Sequence, residues 1–193
     1  MARPREFDPD EALDKAMHLF WAKGYHNSSI RDLVDRTGVN YYGLYEVFKS
    51  KHGLLLAAFD RYRQTVTVAF GVALAEAAPT SDGLLGAFER LFDLLTTEDG
   101  TVGCLMCNAA TELAAHDKTV AAKVLAHQTQ LTDLFAAWLY RAAAAGTLKP
   151  AIDTQTAASF LAMTCYSLAL LLRAGFDRAH IRQQAEMATS MIV

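Results

Sequence analysis

The chain has 193 residues, 52% of them hydrophobic, and a formal net charge of −3. That hydrophobic share excludes a disordered chain and suffices for one large domain or two small ones with packed cores. The charge excludes a diffusely basic nucleic-acid binder: residues 1–63 carry ten Lys/Arg against nine Asp/Glu and the remainder eight against twelve, so any DNA affinity must come from a few placed cations and helix N-termini.

Ala and Leu dominate and β-branched runs are scarce, so the expected fold class is all-α. The leading MARPREFDPD holds no apolar signal core. The most apolar stretch, 157–172, is interrupted by Ser159, Thr164 and Ser167 and is short for a membrane span. Cys104, Cys107 and Cys165 form no disulfide framework. These features predict a soluble, cytoplasmic protein with no membrane partner.

The first helix is announced by Asp8 as cap, Pro9 at the first helical position and Glu11 three residues after the cap. Ala12, Ala16, Leu19 and Phe20 follow at helical spacing, and Gly24 ends the run. Ser28 is read as the cap of a short helix from Ser29 to about Arg36, with Ile30, Leu33 and Val34 facing inward. Asn40 is read as the cap of a third short helix carrying Leu44, Tyr45 and Phe48, and Ser50 as the cap of a long helix from about Lys51 to Ala77. After the turn Pro79-Thr80-Ser81-Asp82-Gly83, helices are expected at roughly 82–98, 102–116, 118–145, 153–174 and 178–192. Asp99-Gly100, Gly146 with Pro150, and Gly175 are the breaks between them.

Two short helices joined by Thr37-Gly38-Val39 have helix-turn-helix spacing. The glycine permits a positive φ, Val39 can plug the gap, and Leu33, Leu44 and Phe48 can form a small core. An ordinary corner between helices has the same spacing.

Three stretches together carry more information: AMHLFWAKGY, SSIRDLVDRTGV and LYEVFKSKHGLL. Over residues 12–60 they resemble the DNA-binding head of the TetR/AcrR family of bacterial transcriptional regulators. The resemblance implies a head at residues 1–50, a connecting helix, and a helical effector-binding and dimerisation body at 51–193. It implies that the helix from Asn40 to Glu46 enters the major groove. Tyr45 and Lys51 match phosphate contacts, and Ser28 matches a cap whose helix N-terminus meets the backbone. A helix N-terminus and a lysine each have physical reason to hold phosphate. The sequence departs from the family pattern at Tyr41, Tyr42 and Gly43. Adjacent tyrosines can meet thymine methyls and phosphates, although Tyr42 could instead pack within the head. Arg31 is a candidate groove or phosphate contact, or else a solvated partner of Asp35.

In the resembled family the last two helices pair between copies, which places Leu161, Cys165, Leu168 and Leu172 as dimer-interface candidates; intramolecular core competes for the same face. Phe88, Phe92, Met106, Leu131, Phe135, Trp138, Phe160 and Tyr166 are candidates for an apolar effector pocket, with plain core as the alternative for each. Gly103-Cys104-Leu105-Met106-Cys107 resembles the Gly-Cys-Leu helix start of one branch, some of whose members sense oxidants or electrophiles. Cys104 and Cys107 are therefore candidate redox sensors or packed core residues. No cofactor or metal is expected, since the six histidines form no ligand pattern and no phosphate loop or nucleophile elbow occurs. The function expected is a dimeric regulator binding operator DNA, a repressor released by a small-molecule effector. The alternatives are thiol sensing through Cys104 and a helical interaction module without DNA binding.

Overall fold

The computed structural model describes residues 7–98 and 100–193. The start of the N-terminal segment, MARPRE, and Asp99 of the expected Asp99-Gly100 break lie outside the described residues. Three helices form the head: α1 (Pro9–Lys23), α2 (Ile30–Thr37) and α3 (Tyr41–Phe48). Asp8 caps α1 through Asp10 N–H, with Pro9 at the first helical position. The cap of α2 is Ser29, not Ser28: Ser29 accepts from Asp32 N–H, and the Asp32 carboxylate returns to Ser29 N–H. Ser28 is fully buried and its hydroxyl donates to Gly24 O at 2.6 Å, stitching the α1–α2 turn. Gly38 takes the left-handed conformation (φ 73°) that the turn between α2 and α3 requires. Thr37 locks that turn by accepting from Val39 N–H. Leu33, Val39 and Leu44 are buried between the two helices, as the spacing predicts.

The helix leaving the head is continuous through residue 76 but not uniform. It runs as α4 (Lys51–Tyr62), a π-helical stretch (Arg63–Thr67) and α5 (Val68–Glu76). A π stretch inserts a wide turn and often marks a functional site. The expected helix at 82–98 stops early. It is α6 (Ser81–Leu94), and a two-stranded antiparallel ribbon follows, β1 (Thr96–Thr97) against β2 (Gly100–Thr101). The rest of the body is α7 (Leu105–Glu112), α8 (Lys118–Ala144), α9 (Thr154–Arg173) and α10 (Arg178–Ser190). The head is fastened to α4 by a bidentate Arg61–Asp14 pair at 2.6 Å, and α4 to α8 by Lys123–Asp60 at 2.6 Å.

α9 is long and apolar enough to cross a membrane by length and composition. Here one of its faces packs against its own chain. Leu161, Cys165, Leu168 and Leu172 are all buried within the single chain, so they cannot meet a second copy; this corrects their assignment to a dimer seam. The outward face of α9 carries Phe160, Met163 and Leu170, with Met187 and Met191 exposed on α10. Phe160, expected in a pocket, is 43% exposed on that outward face.

Candidate nucleic-acid interface and ligand cavity

The exposed surface of the head is built around α3 and the joint to α4. Asn40 caps α3 by accepting from Gly43 N–H at 2.9 Å, so its carboxamide oxygen is already engaged. Tyr42 is 82% exposed and Tyr41 about half exposed, so neither ring packs into the head. Tyr41 stacks on Tyr45 with ring centroids 4.3 Å apart, which fixes both rings. The Tyr45 hydroxyl lies against the backbone N–H of Lys51, and burial raises its pKa. The Lys51 ammonium sits 4.2 Å over the Tyr25 ring. Partial burial lowers the Lys51 pKa, while Glu112 and Asp32 oppose that shift. The Tyr45 hydroxyl, which can still donate its own proton, and the Lys51 ammonium therefore converge at the first turn of α4, two donors of the kind a phosphate needs.

Arg31 is 3.7 Å from Asp35, with both side chains exposed. Such a pair contributes little and leaves the guanidinium available. Ser28 is withdrawn from the interface by its burial. The hydroxyl at the head of α2 belongs to Ser29, and the Asp32 carboxylate beside it is held well below the usual range by hydrogen bonds from Ser29 and Lys23.

Within the body, a small cavity of about 20 Å³ lies between the helix leaving the head, α6, α8 and α9, room for about one water. Of the eight residues expected to line a pocket, Leu131 and Tyr166 do so. Phe88, Phe92, Met106 and Phe135 are fully buried core away from it, and Trp138 borders a separate groove with Gly71 and Leu134. The other walls include Tyr62, Val66 and Thr67 from the end of α4 and the π stretch, Cys104, Cys165 and Ala169. A larger cleft of about 820 Å³ beside His18 and Trp21 is open to solvent and flanked by charged side chains.

The cavity's polar groups are all held uncharged. His127 places Nδ1 2.7 Å from the Tyr166 hydroxyl and Nε2 3.2 Å from Thr67 Oγ1. Burial pushes its pKa down to about 3, with the Arg63 charge adding to the effect. Burial likewise raises the pKa values of Tyr62 and Tyr166. Cys104 is pushed up to about 11 by burial, against an opposing hydrogen bond with Tyr62. Its position before α7 would favour a thiolate, but desolvation wins. The thiolate population near neutral pH is therefore smaller than that of an ordinary cysteine. Cys107, half-buried, is also raised by desolvation. All three cysteines are free.

Sequence reasoning missed three groups that tie these regions together. Glu112 looks unpartnered in the sequence. In the fold its carboxylate accepts Tyr25 N–H at 2.9 Å and His26 N–H at 2.6 Å. Arg173 donates to Trp21 O at 3.0 Å and Val102 O at 2.8 Å. His127 is buried in the cavity wall. The available signal was a single charge closing each of the apolar runs of α7 and α9.

A three-helix head with an exposed helix-turn-helix, carried on a helical body, defines a DNA-binding transcriptional regulator. The chain belongs to the TetR family: residues 12–58 match the model of bacterial regulatory proteins of the tetR family, and residues 81–188 match that of the tetracyclin repressor-like C-terminal domain. The HTH-type transcriptional repressor ComR of Escherichia coli K12 is 31% identical over 184 residues, covering 95% of this chain and 88% of its own length. The HTH-type transcriptional regulator YezE of Bacillus subtilis 168 is 25% identical over the full length of both chains. Among solved structures, a cysteine-substituted form of the TetR family regulator CifR, complexed with 26-bp double-strand operator DNA, superposes with a TM-score of 0.86 at 26% identity, covering 100% of both chains.

Proposed function

We propose that this chain is a homodimeric, cytoplasmic transcriptional repressor that leaves its operator when a small, uncharged effector enters the body cavity. Residues 1–50 serve DNA binding and residues 51–193 serve effector binding and dimerisation. One observation carries the reading. The helical rod whose first turn holds Lys51 also supplies the cavity walls Tyr62, Val66 and Thr67. An occupant that displaces those walls moves the DNA-facing turn. Two heads must stand about 34–36 Å apart, or a multiple of one helical turn, to meet successive major grooves. A ligand that prefers another spacing lowers DNA affinity by its differential affinity for the two forms.

Three further observations support it. ComR is named a repressor and CifR is held on operator DNA. The apolar outward face of α9 and α10 is suited to a second copy. His127, Cys104, Tyr62 and Tyr166 are uncharged at neutral pH, so the cavity offers no counter-charge to an ionic effector and disfavours one. The same burial of Cys104 disfavours thiol sensing.

Leu131→Phe tests the reading without knowledge of the effector, by filling the cavity from its own wall. A duplex selected from a random library with the wild-type protein serves as operator. The variant should bind it at least roughly tenfold more weakly, corresponding to a bias of about 1.4 kcal/mol between the two forms, while its helical circular dichroism is retained. Unchanged affinity in a folded variant would remove the cavity from control of DNA binding.

A further inference from the structure

We propose that Glu112 and Arg173 form a two-sided charged clasp on the turn between α1 and α2, positioning the head on the body and passing the state of the cavity to it. The second half of this statement rests on the effector reading above; the first does not.

The clasp follows from the backbone groups that the end of α1 leaves open. A helix terminus has carbonyls without intrahelical partners, and the turn beyond it has free N–H groups. Within the turn, Gly24 O accepts the Ser28 hydroxyl at 2.6 Å, and Lys23 O accepts Asn27 Nδ2 at 3.3 Å. The carbonyls of Trp21 and Ala22 are met instead by the Arg173 guanidinium, at 3.0 and 3.3 Å. The N–H groups of Tyr25 and His26 are met by the two oxygens of Glu112. A cation thus sits at the negative end of α1 and an anion on the amides just past it, each by charge-assisted hydrogen bonds. Gly24 makes room for this: its φ is +80°, and a Cβ there would lie 2.8 Å from Glu112 Oε2.

Both arms begin at the cavity. Cys104 lines it immediately before α7, and Glu112 is the last residue of that two-turn helix. Ala169 lines it from α9, and Arg173 stands one turn further along the same helix. On the far side of the clasp, the Tyr25 ring carries the Lys51 ammonium. The path from cavity wall to phosphate-facing cation therefore runs through the two-turn helix α7, the last turn of α9 and one gripped turn.

The test combines single variants with a double-mutant cycle. Glu112→Ala and Arg173→Ala are compared with wild type for affinity to the selected duplex, melting temperature, and amide hydrogen exchange by mass spectrometry. Each should weaken DNA binding roughly tenfold, with faster exchange in peptides spanning residues 24–29, joined in Arg173→Ala by the segment around Val102, whose carbonyl the same guanidinium holds, and the rest of the body unchanged. Glu112→Gln keeps the side-chain shape and one neutral acceptor, and should fall between wild type and alanine. The cavity-filling Leu131→Phe change is then placed in the Glu112→Ala/Arg173→Ala background, where its effect on DNA affinity should shrink to within about twofold. The clasp is overturned if the single variants leave exchange and affinity at wild-type levels, or if the Leu131→Phe effect persists in full without the clasp. A Leu131→Phe change that is silent in the wild-type background, beside loosened exchange in the clasp variants, would instead overturn cavity control and leave the positioning role standing.

Discussion

Adding one charge to the outward face of α9 separates dimerisation from folding. Leu170 is 50% exposed, whereas Leu168, two residues away, is 1% exposed. In the free chain Leu170→Glu places its carboxylate in water, and such exposed substitutions stay within about 0.5 kcal/mol of neutral. In a two-fold dimer sealed by this face, the same carboxylate loses its water and appears twice, once per copy. Taking about 3 kcal/mol for each unpaired buried carboxylate, the dimer loses about 6 kcal/mol, a factor of about 10⁴ in its dissociation constant. Sedimentation velocity should therefore report a monomer at concentrations where wild type is a dimer, with an unchanged circular dichroism melt and lost operator binding. Leu168→Glu should behave differently, lowering the melting temperature, because its carboxylate enters the chain's own core. A folded Leu170→Glu variant that sediments as wild type would refute the reasoning and place the seam elsewhere.

Lys51→Ala should weaken binding to selected and random duplexes alike and reduce the salt slope by about 1 per head; an unchanged slope would remove Lys51 from the phosphate contacts. Tyr42→Ala, which removes the most exposed tyrosine of α3, should instead narrow the gap between selected and random DNA in the same titration. His127 predicts a pH dependence of stability. Its imidazole takes a proton below about 6.5 when unfolded but resists one down to about 3 when folded, so its contribution is full above pH 6.5 and is lost as pH falls through that window. The loss is about 1.4 kcal/mol per pH unit, or roughly 2 kcal/mol by pH 5. His127→Gln should flatten the fall in melting temperature between pH 6.5 and 5, and an identical slope in the variant would count against a neutral buried imidazole.

What the sequence determined by itself is local. Caps, a turn glycine and apolar spacing act over four or five residues, and they placed α1, α2, α3 and the start of α4. Tyr45 and Lys51 were singled out by the resemblance to the family's head, and the local caps fixed only where they stand, at the joint between α3 and α4. Even there the resolution was one residue: Ser28 and Ser29 are chemically equal candidates for the cap, and only the packing of Ser28 beneath Gly24 O separates them. The tertiary structure decided what depends on a neighbour distant in sequence. α9 carries apolar residues on two faces, and it is the position of its neighbours that buries Leu161 and Leu168 and leaves Phe160, Met163 and Leu170 outside. The Cys104 thiol stands where a helix N-terminus would ionise it, and enclosure by distant elements keeps it protonated. Glu112 meets amides 86 and 87 positions away. No periodicity encodes such a contact, because it exists only once α7 and the α1–α2 turn have been folded together.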